Sequence, residues 1–210
     1  MHLSRTSIVL LAGAVAMLGC AQPRVEYTGA FEATLDPDCK WDGTAGSIPV
    51  VAGSMNAAVA SGYWMVMKLE VVDNNGLGSR DHLLVNEAEF SYACQDTLVS
   101  CAGFRTLEPT VVPLSAVVAA DQAAVLLMPV FTSEAANAVQ DWATDKPGTI
   151  LVGIKFRGDY GESAAIEFPV AVYRIPPAAC PSGSVQKLPT CPAFFGMNGN
   201  DSYVCEPANP

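Results

Sequence analysis

The sequence predicts a mainly β protein, an antiparallel immunoglobulin-like β-sandwich with one short crossover helix and a disulfide-held C-terminal tail. Three observations carry this. Apolar and polar residues alternate through residues 63–72 and again through 149–173, the period of half-buried strands. A helical period occurs once, within residues 132–148. Beyond Ile175 the chain is rich in Pro, Ser, Gly and Asn and carries Cys180, Cys191 and Cys205 but no periodic apolar face.

In chain order, residues 20–30 read as a short tether, the sandwich is expected over 31–176, and the tail over 177–210. In "YWMVMKLEVV" (63–72), Met65, Met67, Leu69 and Val71 share one face, with Trp64, Val66, Lys68 and Glu70 on the other. "VDNNGLGS" (72–79) supplies turn chemistry. "HLLVNEAEFSYAC" (82–94) is the next strand, "QDTLVS" a loop, and "CAGFRTL" (101–107) a return strand. "AAVLLMPVF" (123–131), short and continuously apolar, suits a buried strand. In "TSEAANAVQDWATDKPG" (132–148), Ala135, Ala138, Val139 and Trp142 recur at helical spacing. Thr132 or Ser133 can cap that helix, Glu134 suits its first turn, and Pro147-Gly148 ends it, giving about three turns. Ile150, Val152, Ile154 and Phe156, then "GDYG", then Ala164, Ile166, Phe168, Val170 and Val172 form a hairpin with one face on a core.

Composition narrows the function classes. The chain has 21 acidic and 11 basic side chains, a formal charge of −10. So acidic a surface repels phosphate backbones and anionic headgroups, which excludes nucleic acid as a partner. With 15% charged and 50% apolar residues, the chain can bury a sizeable core.

Before the strands, residues 8–18 form an apolar run preceded by Arg5, the pattern of a secretory signal over residues 1–19. The run is too short for a transmembrane helix, which needs about 20 apolar residues. It ends on Gly19-Cys20-Ala21, with Met17 and Leu18 before it. These residues resemble the lipobox of bacterial lipoproteins. The resemblance implies that the Cys20 thiol receives a diacylglycerol, that cleavage precedes it, and that the new amino terminus is acylated, palmitate being the type of chain. Ala21 after the cysteine implies sorting to the outer membrane, so the partner implied is the membrane itself. Ordinary secretion, with cleavage after Ala16 or Ala21, is the alternative. Further on, "CKWDG" (39–43), "GESAAIEFPVAVYRIPPAAC" (161–180) and the cysteine-bearing tail resemble small secreted lipoproteins of myxobacteria. That likeness implies a β-sandwich on an outer-membrane tether and no catalytic residue.

Seven cysteines are present: Cys20, Cys39, Cys94, Cys101, Cys180, Cys191 and Cys205. Lipidation of Cys20 leaves six for three disulfides in an oxidising compartment, as cleavage after Ala21 also would. Cys94 and Cys101 are expected to pair across a hairpin loop. Of the remaining four only Cys39 lies outside the tail, so one bridge runs from Cys39 to the tail and one closes within it. The strand ending near Ile175 places Cys180 close to the sandwich edge, so Cys39–Cys180 and Cys191–Cys205 are the expected bridges. The tail loop then displays Phe194, Phe195 and Tyr203 as candidate partner contacts.

Chemistry-bearing residues are few. His82, next to Asp81, is the only histidine after the signal, and no Gly-x-Ser-x-Gly elbow occurs. Glu87 and Glu89 lie on one side of a strand, about 7 Å apart, a spacing that glycoside hydrolysis can use and that any solvated strand face also shows. Asp36 and Asp38, Asp73 and Asn75, and Asn198, Asn200 and Asp201 are oxygen ligands in turns, but none has the spacing of a full calcium loop. No Cys-x-x-Cys pair exists, and no metal or other cofactor is implied. "GYW" (62–64) and Trp41 can form an aromatic patch for a ligand, or fill the core. The expectation is a lipid-anchored, non-enzymatic binding or structural module with a protein or glycan ligand. The alternative is a small secreted hydrolase using Glu87 and Glu89.

Overall fold

The computed structural model describes residues 23–36, 38, 40–58, 62–72, 81–96, 101–142, 146–176, 179–187 and 204–208. The strands in chain order are β1 (Arg24–Leu35), β2 (Trp41–Pro49), β3 (Gly53–Asn56), β4 (Trp64–Val72), β5 (His82–Cys94), β6 (Thr110–Ala119), β7 (Ala124–Pro129), β8 (Gly148–Gly158), β9 (Gly161–Glu162), β10 (Ile166–Tyr173), β11 (Ser184–Lys187) and β12 (Val204–Pro207). Two helices interrupt them, α1 (Ala102–Arg105) and α2 (Ser133–Gln140). One sheet has the order β2-β1-β4-β7 and the other β3-β10-β8-β5-β6, with β9 added beside β8. All pairings are antiparallel except β3 with β10, which is parallel. This is the mainly β, antiparallel sandwich that the alternating pattern predicts.

The pattern works because each strand must hide one face. On β4, Met65, Met67 and Leu69 point inward. On β5 they meet Leu83, Val85, Ala88 and Phe90, and on β8 and β10 Ile150, Val152, Ile154, Phe156, Phe168, Val170 and Val172. Burying each large side chain contributes about 1.5–3 kcal/mol. The hairpin expected over 149–173 is present, with Ile154 opposite Ile166 and Val152 opposite Phe168.

Several expectations are corrected. Residues 24–30 are not tether but the first half of β1, paired along β4 from Arg24 opposite Val72 to Ala30 opposite Met67. Residues 101–107 do not return as a strand: Ala102–Arg105 form one helical turn, and the return is β6. Residues 124–129 form an edge strand with Met128 alone fully inward, not a buried one. The crossover helix is eight residues long, about two turns.

The tail is also less irregular than its composition suggests. The chain turns just before β11, where the Ser184 amide donates to Pro181 O and Gly183 has a φ of +84° that favours glycine, and β11 pairs antiparallel with β12. That ribbon brings Cys180 within 5.5 Å (Cα–Cα) of Cys205, and they form a disulfide. The expected Cys191–Cys205 and Cys39–Cys180 bridges are therefore both excluded, because each would need a cysteine already used. The Cys94–Cys101 bridge is present, with a Cα separation of 5.9 Å. Cys20, Cys39 and Cys191 lie outside the described residues.

One end of the sandwich is closed by aromatic packing. Phe104 of α1 lies 6.1 Å from Tyr92, 5.9 Å from Phe131 and 6.3 Å from Trp142, ring centre to ring centre. Two glycines make room. A Cβ on Gly103 would meet the Ala138 Cβ of α2 at 3.1 Å, and one on Gly148 would meet Trp142 Cη2 at 2.7 Å. Arg174 then closes the C-terminal end of α2, donating to the carbonyls of Gln140 and Trp142.

Two predictions follow from this packing. Trp142 is fully buried and has no room to retreat, so Gly148→Ala should cost about 1–3 kcal/mol of stability by overpacking. An unchanged thermal transition would contradict the close fit. Non-reducing peptide mapping of the oxidised protein should recover Cys94–Cys101 and Cys180–Cys205, with Cys39 joined to Cys191 as the remaining pair. A peptide joining Cys205 to Cys191 would overturn this map.

Candidate functional site

The carboxylate pair sits on the outward face of the six-stranded sheet. A register shift between Val85 and Glu87 marks a bulge in β5. Val85 and Ala88 both point inward across it, leaving Glu87 and Glu89 outward. Glu87 is opposite Arg157 and Glu89 opposite Lys155 on β8. The Arg157 guanidinium gathers three carboxylates, donating to Glu89 Oε2 at 2.6 Å, Glu162 Oε1 at 2.8 Å and Glu87 Oε1 at 3.4 Å. Lys155 Nζ is 3.9 Å from Glu162. Burial alone would lower the Arg157 pKa, but Glu89 and Glu162 outweigh it and raise the value. Both members of the pair are engaged by the one guanidinium. The arrangement is a cross-strand ion network.

The other titratable candidates are dispersed. His82 Nδ1 lies 2.5 Å from Asp81 Oδ1 at the exposed start of β5, where this hydrogen bond holds the Asp81 carboxyl below its usual range. Asp36 Oδ1 accepts the amides of Asp38 (2.9 Å) and Lys40 (2.8 Å), which is turn chemistry. Among the described residues no group of three or more His, Cys, Asp or Glu side chains is arranged to hold a metal ion. Asp73, Asn75, Asn198, Asn200 and Asp201, like Phe194, Phe195 and Tyr203, lie outside the described residues.

A cleft of about 450 Å³ opens where the two sheets' edges meet beside α2. Trp64 of β4 and Pro129 of β7 are cross-strand partners and form one wall with Gly62. Thr110 and Val112 of β6 form another, and Ser133 and Glu134 open the first turn of α2. Of the "GYW" segment, Gly62 and Trp64 thus reach the cleft. Tyr63 is 1% exposed and packs against Phe168 at 6.2 Å, so it belongs to the core, and burial raises its phenol pKa. Trp41 is separate: its Nε1 donates to Thr44 O at 2.7 Å within β2.

Thr132, behind the cleft, is fixed by Tyr92. The Tyr92 hydroxyl donates to Val130 O at 3.1 Å and accepts the Thr132 amide at 2.8 Å. Thr132 is the N-cap of α2, yet its side chain makes no capping hydrogen bond and its buried hydroxyl has no partner. Sequence reasoning named Trp64 as part of a possible aromatic patch and Thr132, Ser133 and Glu134 only as helix-start residues, and did not group them with Thr110, Val112 and Pro129. These residues are brought together by strand register, which no local motif encodes.

No protein-family model matches the chain, and no curated protein matches it in sequence.

If the Arg157 network is electrostatic, Arg157→Met leaves Glu87, Glu89 and Glu162 facing one another. Its melting temperature should fall below wild type at low salt and approach it near 1 M salt, where the screening length drops to about 3 Å. A deficit independent of salt would mean that Arg157 acts through packing alone.

Proposed function

We propose that the protein is a lipid-anchored binding module of the cell envelope, not an enzyme, and that the Trp64 cleft takes a neutral saccharide segment. Two disulfides suit an oxidising environment outside the cytoplasm. Among the described residues no helix is long and apolar enough to cross a membrane. The Gly19-Cys20-Ala21 sequence supports attachment through acylated Cys20, with the outer membrane as destination.

The observation that carries the binding reading is the mixture of groups lining the cleft. An indole presents a flat apolar face to the C–H side of a sugar ring, while Thr110, Ser133 and Glu134 offer oxygens to its hydroxyls. Such clefts combine apolar walls with a few convergent polar groups. A carboxylate at the rim disfavours an anionic ligand, hence the neutral class. The hydrolase alternative is disfavoured because Arg157 occupies the pair on which it depends.

Titration of a Trp41→Phe background with short neutral oligosaccharides should give a saturable change in tryptophan emission at about millimolar concentration. Trp142 is fully buried, so Trp64 is the responsive reporter. Trp64→Ala should weaken binding, followed calorimetrically, by tenfold or more. Absence of any saturable response across a panel of neutral glycans would overturn the saccharide reading. In parallel, intact mass of the membrane fraction should show a chain starting at Cys20 with added acyl mass. An unacylated chain starting at Gln22 would end the lipoprotein reading.

A further inference from the structure

We infer that the anchored sandwich stands end-on against the bilayer, with the Arg24–Glu70–Asp121 end at the lipid headgroups and the Trp64 cleft facing away. This rests on Cys20 being the lipid attachment point, and beyond that on three observations. The first is chain length. Because β1 starts at Arg24, the chain from Cys20 to the folded edge spans four residue steps. Fully extended, that is about 13–14 Å. A tether of the expected eleven residues would reach nearly three times as far, whereas this one keeps the Arg24 end within about 14 Å of the attachment point.

The second observation is topological. Arg24 is opposite Val72 at the last position of β4, and the β6–β7 turn lies beside it. Ala119, Ala120, Asp121, Gln122 and Ala123 of that turn line a shallow hollow with Glu70 and Val71. The Ala120 amide donates to Asp81 O at 2.8 Å, joining the start of β5 to the same end. Trp64 is at the opposite end of β4, eight residue steps from Val72. At about 3.3 Å per step that is about 26 Å along the strand, roughly twice the tether's reach.

The third observation is charge. This end presents Glu26, Glu70, Asp81 and Asp121, with Arg24 bound to Glu26 at 2.6 Å and Lys68 bound to Glu70 at 2.8 Å, which leaves it acidic on balance. An acidic face does not adhere to anionic headgroups. Proximity here is imposed by the covalent anchor, and the partner surface is lipid. The competing posture is a domain lying on its β2 edge, where Ile48 and Val51 are exposed apolar side chains.

The acylated protein in phosphatidylcholine–phosphatidylethanolamine vesicles containing a headgroup nitroxide lipid decides between these postures. Single fluorophores, introduced as genetically encoded residues at Gln122, Val51 or Ser133, report contact-range quenching. Quenching at Gln122 at least three times that at Val51 and Ser133 is expected. Inserting twenty Gly/Ser residues after Ala21 should reduce the difference to near unity. Equal quenching at all three sites of the unextended protein, or the strongest quenching at Val51, would overturn the end-on posture. Intact mass of the same sample separates the two premises: a protein lacking acyl mass at Cys20 refutes the anchor, and with it this posture, whatever the quenching pattern.

Discussion

The Tyr92 hydroxyl joins an interior strand of the larger sheet to the start of α2. Tyr92 sits on β5, which is flanked on both sides by β6 and β8. Its ring packs against Phe104 and Phe131 at 6.1 Å each, and its oxygen links Val130 O to the Thr132 amide. Burial raises the phenol pKa, although the hydrogen bonds with Thr132 work against that shift, so the hydroxyl keeps the proton it donates. A donor and an acceptor that would otherwise be buried without partners are satisfied together, and leaving either one bare costs about 1–3 kcal/mol. Through this contact the position of α2 is set by the sheet.

What surrounds Tyr92 then follows. The Cys94–Cys101 bridge carries α1 back over the end of β5, so that Phe104 completes the aromatic cluster. Asp96 secures the same turn, accepting the Thr149 amide at 2.6 Å through its side chain and Arg105 at 2.5 Å through its carbonyl. Gly103 lets α2 approach closely, and Gly148 lets Trp142 approach where a side chain would collide. The cleft is a by-product of this closure. Its floor is Phe131 and Thr132, and its walls are the two sheet edges that the helix does not cover. A rigid scaffold thus holds a surface opening at one end of the sandwich while the chain enters at the other.

The legible parts of the fold were those in which burial alternates strictly. On β8, the residues from Ile150 to Phe156 alternate buried and half-buried, and the sequence shows the same alternation. Residues 24–30 were missed because a register shift between Tyr27 and Gly29 breaks the period, leaving Val25 and Ala30 as the buried positions. Their strand character comes from pairing with β4. The α1 turn is too short to show a helical period and is held by a disulfide and one buried phenylalanine. β11 has no buried residue, so nothing in its pattern marks it, and without that ribbon the tail cysteines could not be paired correctly. For the site, aromatic Trp64 was visible as a candidate, as was the Glu87–Glu89 pair. Arg157 as their common partner was not, since the β5–β8 pairing joins residues about seventy positions apart.

The central claim, that the Tyr92 hydroxyl pins α2 and thereby shapes the cleft, is tested most directly by hydrogen exchange on Tyr92→Phe. The substitution keeps the ring and removes both hydrogen bonds. The account predicts that the Thr132 amide and the first turn of α2 lose protection by tenfold or more. Amides in the β8–β10 hairpin should change only by the smaller amount that global stability falls. Unchanged protection at Thr132, with the loss spread evenly over both sheets, would show that α2 is held by packing alone and would contradict the account.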